Sequence, residues 1–123
     1  MAYSSIIKPS TLMSAKLYTG NGGTQSITGV GFLPDFVWTK NRTSSADHQL
    51  YDIVRGVYKQ IKSNTTAVQE TDSNTLTAFG SDGFSLGSSD DVNQNAKNFV
   101  SWNWKAGTSV SGNTTQGGST AKA

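Results

Sequence analysis

The most regular alternation of apolar and polar positions lies late in the chain. Val100, Trp102 and Trp104 fall on one side of an extended backbone, and Ser101, Asn103 and Lys105 on the other. Residues 98–105 therefore predict a half-buried strand whose tryptophan face is turned to the core. Residues 35–40 predict a second strand, with Phe36 and Trp38 on one face and Val37 and Thr39 on the other. Residues 48–55 predict a third, in which Leu50, Asp52 and Val54 oppose Tyr51 and Ile53; Gly56 interrupts it, and 57–62 continue as another strand.

Glycine-rich breaks divide the remainder. Gly20-Asn21-Gly22-Gly23, between short strands at 16–19 and 24–28, reads as a hairpin loop. The clearest hairpin spans 74–79 and 84–86, reversed at Gly80-Ser81-Asp82-Gly83. Segments 41–46, 63–73 and 88–95 are polar and read as loops. No helical period appears. Short strands at turn spacings near ten residues predict an all-β fold, an antiparallel β-sandwich of jelly-roll or lectin-like kind, with a barrel as the alternative. The expected core is Phe32, Phe36, Trp38, Tyr51, Ile53, Leu76, Phe79, Phe84, Leu86, Val100, Trp102 and Trp104. The expected organisation is an N-terminal arm at 1–15, the β-sandwich domain at 16–105, and a flexible Gly/Ser/Thr-rich tail or linker at 106–123, too poor in apolar side chains to offset its ordering entropy.

Composition agrees with this reading. Ser, Thr, Asn, Gln and Gly fill 60 of 123 positions, which favours strands and turns over long helices. No apolar run approaches the roughly 20 residues of a membrane-spanning helix, so membrane insertion is not expected, and the first ten residues lack the apolar stretch of a secretory signal. Cysteine is absent, which removes disulfides, thiolate metal sites and thiol nucleophiles together. The net charge of +2 hides a basic segment at 1–62 and an acidic one at 63–104. Opposite poles would favour head-to-tail association of copies, and neutralisation within one domain is the simpler reading. Lys40, Arg42, Arg55, Lys59 and Lys62 are too sparse for a nucleic-acid stripe.

Catalytic patterns are scarce. His48 is the single histidine, and its neighbour Asp47 points to the opposite strand face, the wrong geometry for an orienting pair. A plain loop or surface histidine is expected. Glu70 and Asp72, and the Asp90-Asp91 pair beside Asn93, fall in polar loops where acids are solvated; the latter offers calcium-type oxygen donors without an EF-hand's glycine and closing glutamate. Tyr18, Tyr51 and Tyr58 could stack on sugar rings, or equally serve the core. No catalytic, cofactor-binding or metal-ligating residue is assigned, and no enzyme is expected.

The wording of the chain adds what periodicity cannot. The run Tyr18 to Arg42, containing Gln25-Ser26-Ile27-Thr28-Gly29-Val30-Gly31-Phe32 and Val37-Trp38-Thr39-Lys40-Asn41-Arg42, resembles the opening of an uncharacterised domain of tailed-bacteriophage virion proteins, notably from marine phages. The likeness continues through Asp47-His48, Asp52 to Gly56, Ser63-Asn64-Thr65, Thr75-Leu76-Thr77, Ser81 to Gly87 and Trp102-Asn103-Trp104-Lys105-Ala106-Gly107. Thr39 stands where such domains usually carry an aliphatic residue, which predicts a more exposed strand face there. The resemblance implies a structural virion protein, a tail-fibre or appendage component using its terminal arms for assembly, with a capsid decoration protein or a glycan-binding module as alternatives. It further implies other virion proteins as partners, homo-oligomerisation, a host surface glycan as an additional ligand, and location in the virion. It carries no catalytic residues.

Overall fold

The structure is a computed structural model that describes residues 8–106. A 3-10 turn at Pro9–Thr11 leads into nine strands: β1 (Met13–Thr19), β2 (Gln25–Ile27), β3 (Phe36–Asn41), β4 (Gln49–Asp52), β5 (Lys59–Gln60), β6 (Glu70–Thr71), β7 (Leu76–Gly80), β8 (Gly83–Leu86) and β9 (Asn98–Trp104). One short helix, α1 (Asp90–Asn93), lies between β8 and β9. All described pairings are antiparallel: a four-stranded sheet β1-β9-β3-β4, a three-stranded sheet β2-β8-β7, and a small β5-β6 pair. The sheets do not close into a barrel, and the two larger ones face each other as a sandwich around Ile27, Val37, Tyr51, Leu76, Phe84, Leu86 and Val92.

The Asp-Gly reversal forms the β7-β8 hairpin where it was expected, with Gly80 paired to Gly83. The first glycine cluster does something else. β1 pairs with β9 and β2 with β8, so residues 20–24 carry the chain from one sheet to the other and make no hairpin. Gly20 is required at this crossing because an added Cβ would collide with the carbonyls of Asn93 and Gln94.

Asn93 fastens the crossing. Its fully buried amide donates to Asn21 Oδ1 at 2.9 Å and to the Gly23 and Gly87 carbonyls, and accepts from the Asn21 N–H at 3.0 Å. The segment expected as loop at 88–95 thus contains one helical turn, with the Ser89 side chain accepting from the Asp91 N–H as its N-cap.

β1 starts at Met13 and is in register with β9 over its full length, so 13–15 belong to the sheet, not to an arm. The strand expected at 48–55 is confined to β4, because the chain turns after Asp52; Val54 is exposed and Gly56 adopts a positive φ. The remaining residues of the expected arm, 1–7, and of the expected tail, 107–123, lie outside the described residues. The basic and acidic segments are interleaved within one sheet, since β9 lies between β1 and β3.

The largest departure concerns which face of β3 and β9 looks inward. Val37, Thr39 and Asn41 of β3 and Phe99, Ser101 and Asn103 of β9 are buried. Phe36, Trp38, Val100, Trp102 and Trp104, expected in the core, lie half-buried on the opposite side, and Ile53 is exposed. Phe32, Tyr51, Leu76, Phe84 and Leu86 are buried as expected, and Phe79 packs against them. Period two separates two faces without saying which one a second sheet covers. Here the slimmer face meets β2-β8-β7. Thr39, whose face was expected to be more exposed, has no accessible surface.

Candidate functional site

The outer face of the four-stranded sheet is assembled in three rows. Met13, Trp104, Phe36 and Asp52 are neighbours across β1, β9, β3 and β4; Ala15, Trp102, Trp38 and Leu50 form the next row; Leu17, Val100 and Lys40 form the third. Eight side chains in these rows besides Ala15 are large and apolar, yet they face away from the sandwich interior. Leu17 is 61% exposed and Met13 37%.

The opposite face is chemically inverted. Thr39 lies directly between Gln49 and Ser101, with Asn103 two positions along β9, and all four are buried. Asn103 Nδ2 donates to the Ser14 carbonyl and Ser101 Oγ, both at 3.1 Å. Thr39 Oγ1, Asn103 Oδ1 and both amide atoms of Gln49 have no protein partner among the described residues. A sheet that buries its amides and turns its indoles outward has its hydrophobic driving force unspent on the outer side.

The aromatic rings hold one another in a tilted array. Trp38 meets Trp102 at 5.4 Å and 67°, and Phe36 meets Trp104 at 5.3 Å and 60°, while Trp38 and Trp104 are 6.4 Å apart at 29°. The Trp38 indole N–H donates to His48 Nδ1 at 2.9 Å. His48 lies in the loop before β4, half-buried and bonded to Trp38, and Asp47 does not orient it: Asp47 accepts from Asn64 at 2.8 Å. On the β4 side, Asp52 is gripped by the Arg55 guanidinium. Burial pushes the Asp52 carboxyl up, but hydrogen bonds from the Arg55 backbone and side chain, with its positive charge, outweigh that and hold it below its ordinary value. Asp52 is therefore neutralised by Arg55.

A second cluster surrounds Lys62, which reaches Glu70 at 3.2 Å and Asp47 at 3.7 Å; Gln60 donates to both Glu70 and Asp91. A cleft of about 520 Å³ lined by Ser45, Ala46, Asp47, Asn64 and Asp91 adjoins it. The bonds from Gln60 and Lys62 lower the Glu70 carboxyl, and the Glu70 bond raises Lys62. These contacts consume the acids in structural pairing. Among the described residues no three His, Cys, Asp or Glu side chains converge as metal ligands. The Asp90, Asp91 and Asn93 trio does not converge either, because Asn93 turns into the β1-β2 crossing. Tyr18 and Tyr51 are unavailable for stacking on a sugar: Tyr18 packs on Phe99 and donates to the Val92 carbonyl, and Tyr51 is fully buried on Gln60. Burial raises both phenols well above their ordinary values, which keeps them neutral.

A family model for a domain of unknown function, DUF7483, matches residues 8–122. The chain belongs to the DUF7483 family. This match begins before β1 and therefore takes in the strand that completes the outer face. No curated protein and no solved structure matches the DUF7483 chain.

Sequence patterning located the three tryptophans and missed their role. Leu17 and Met13, which extend the apolar patch onto β1, had no signal of their own, since only pairing with β9 brings them beside Val100 and Trp104. Thr39, Ser101 and Asn103 gave no hint of the inversion: three polar residues on the non-tryptophan face read as a surface, and the structure buries them instead.

Proposed function

We propose that the chain is a structural protein of a tailed-bacteriophage virion, a tail-fibre-like or appendage component that joins neighbouring proteins through the outer face of its four-stranded sheet. One observation carries the reading: the tryptophan face of β3 and β9 is turned away from the domain's own interior. The resemblance of residues 16–107 to phage virion domains supplies the setting. The face has the anatomy of a protein contact, with aromatic residues at its centre, the uncharged outer residues of β1 and β9 on one side, and Lys40, His48 and Asp52 at the margin.

A protein partner fits better than a glycan. Stacking on sugars calls for aromatic faces laid open beside free hydrogen-bonding groups. Here the rings tilt into one another, the Trp38 N–H is committed to His48, and Asp52 is committed to Arg55. Catalysis has no part in the reading.

The test is incorporation. Virions carrying Leu17→Lys should contain markedly less of the chain than wild-type virions, with the soluble variant still folded, because Leu17 is exposed and its replacement leaves the core untouched. A chain that never enters particles, or a folded variant that enters them at wild-type copy number, overturns the proposal.

A further inference from the structure

Of the partners an apolar sheet face can take, one is present wherever this chain is: the same face of another copy. Resting on the assembly role proposed above, we infer that two copies stack their four-stranded sheets face to face about a two-fold axis that runs across the strands through the row of Ala15, Trp102, Trp38 and Leu50.

The direction of the axis follows from where charge sits on the face. β1 and β9 contribute no charged side chain to it, whereas β3 and β4 contribute Lys40 and Asp52 at opposite ends. An axis parallel to the strands would lay β4 over β1 and β3 over β9, setting the Asp52–Arg55 ion pair on Met13 and the Lys40 ammonium on Val100, so that polar groups are desolvated against apolar side chains. An axis across the strands lays each strand over its own copy. The uncharged half then covers the uncharged half, Leu17 meets Met13, Lys40 lies over the ring of Phe36, and Asp52 lies opposite His48. Trp38 and Trp102 fall at the centre, where fully desolvated aromatics contribute most.

The size of the face sets the strength. Four strands about 4.8 Å apart and seven residues rising about 3.3 Å each give a patch of roughly 20 by 20 Å. Two such patches, with their projecting side chains, bury on the order of 1,000 Å², the lower limit for a specific complex and characteristic of weak ones. The pair is therefore a concentration-dependent dimer, strengthened where many copies are held together.

Sedimentation of the full chain between about 10 µM and about 1 mM should show a dimer growing with concentration, and Leu17→Lys should reduce association at least tenfold, about 1.4 kcal/mol. The cysteine-free sequence permits a positional test. With a short bismaleimide able to span the roughly 10 Å between packed sheets, Ala15→Cys, on the axis, should cross-link to itself in high yield. Leu17→Cys should cross-link poorly alone and well when mixed with Met13→Cys. A wild-type chain that stays monomeric at the highest concentration, or efficient cross-linking of Leu17→Cys to itself without Ala15→Cys, overturns the inference. The two proposals fail separately: a monomeric chain whose Leu17→Lys variant is still lost from virions has an assembly face with a different protein partner.

Discussion

Trp38 and His48 are joined by a 2.9 Å hydrogen bond from the indole N–H to Nδ1, with the rings edge to face at 5.6 Å. The pair clips the segment entering β4 to the centre of the aromatic face. His48→Ala removes both the acceptor and the ring contact, and should destabilise the domain by about 1 kcal/mol in urea unfolding. It should also alter tryptophan fluorescence, by leaving one indole N–H to water. Unchanged stability and emission would show that the bond contributes nothing in solution.

Truncation costs should follow the observed faces and reverse the order that alternation alone predicts. Phe99→Ala deletes a ring with no accessible surface and should cost about 3–5 kcal/mol, whereas Trp102→Ala, on the outer face, should cost the monomer distinctly less. Denaturant midpoints of dilute samples settle this directly. A larger loss for Trp102→Ala would place the tryptophans in the core after all.

Thr39→Val should stabilise the domain, by up to about 1 kcal/mol. The Thr39 hydroxyl is buried without a protein partner, and valine keeps its shape while removing the desolvated oxygen. Thermal unfolding of the two proteins is the measurement. A clear decrease in Tm would mean that the hydroxyl makes a hydrogen bond in solution.

Acid should weaken the fold through carboxylates that are more acidic folded than unfolded. The backbone N–H groups of Gly29 and Gly31 hold Asp82 below its ordinary value, at 2.9 and 2.7 Å, and Asp52 is lowered as described above. For a group with a depressed folded pKa, the unfolded chain takes up the proton first, so its stabilisation is present above about pH 4 and is lost as pH falls through the folded value. Asp82→Asn should flatten the fall in stability between about pH 5 and about pH 2. An unaltered slope would remove Asp82 from the account.

How far the sequence was legible depended on whether the information was local. The β7-β8 hairpin is written in adjacent residues, since Asp82-Gly83 can reverse the chain with no help from elsewhere. The strand character of 36–41 and 98–104 is likewise local, carried by β-branched and aromatic residues at period two. The inward face is not local. It depends on β2, β7 and β8 arriving opposite Val37 and Tyr51, and no window of β3 contains that fact. The β1-β2 crossing was misread for the same reason: Gly20 to Gly23 are good hairpin residues, and the buried Asn93, some 70 positions away, redirects them. On the outer face, the tryptophans could be found but not their outward placement, and Leu17 could not be found at all without its partner Val100.

The position of β9 also governs when the domain can form. It is the last described strand, yet it lies between β1 and β3, with Ser101 and Asn103 bonded to Lys16 and Ser14 across separations of 85 and 89 residues. Until it leaves the ribosome, β1 has no neighbour in its sheet and β3 lacks one of two, so the early strands must wait without cooperative structure. The nascent chain meanwhile keeps Phe36 and Trp38 accessible, before any copy exists to cover them. Folding therefore waits for β9, is slowed by these long-range pairings, and is most vulnerable to aggregation in the interval before Phe99 reaches Tyr18.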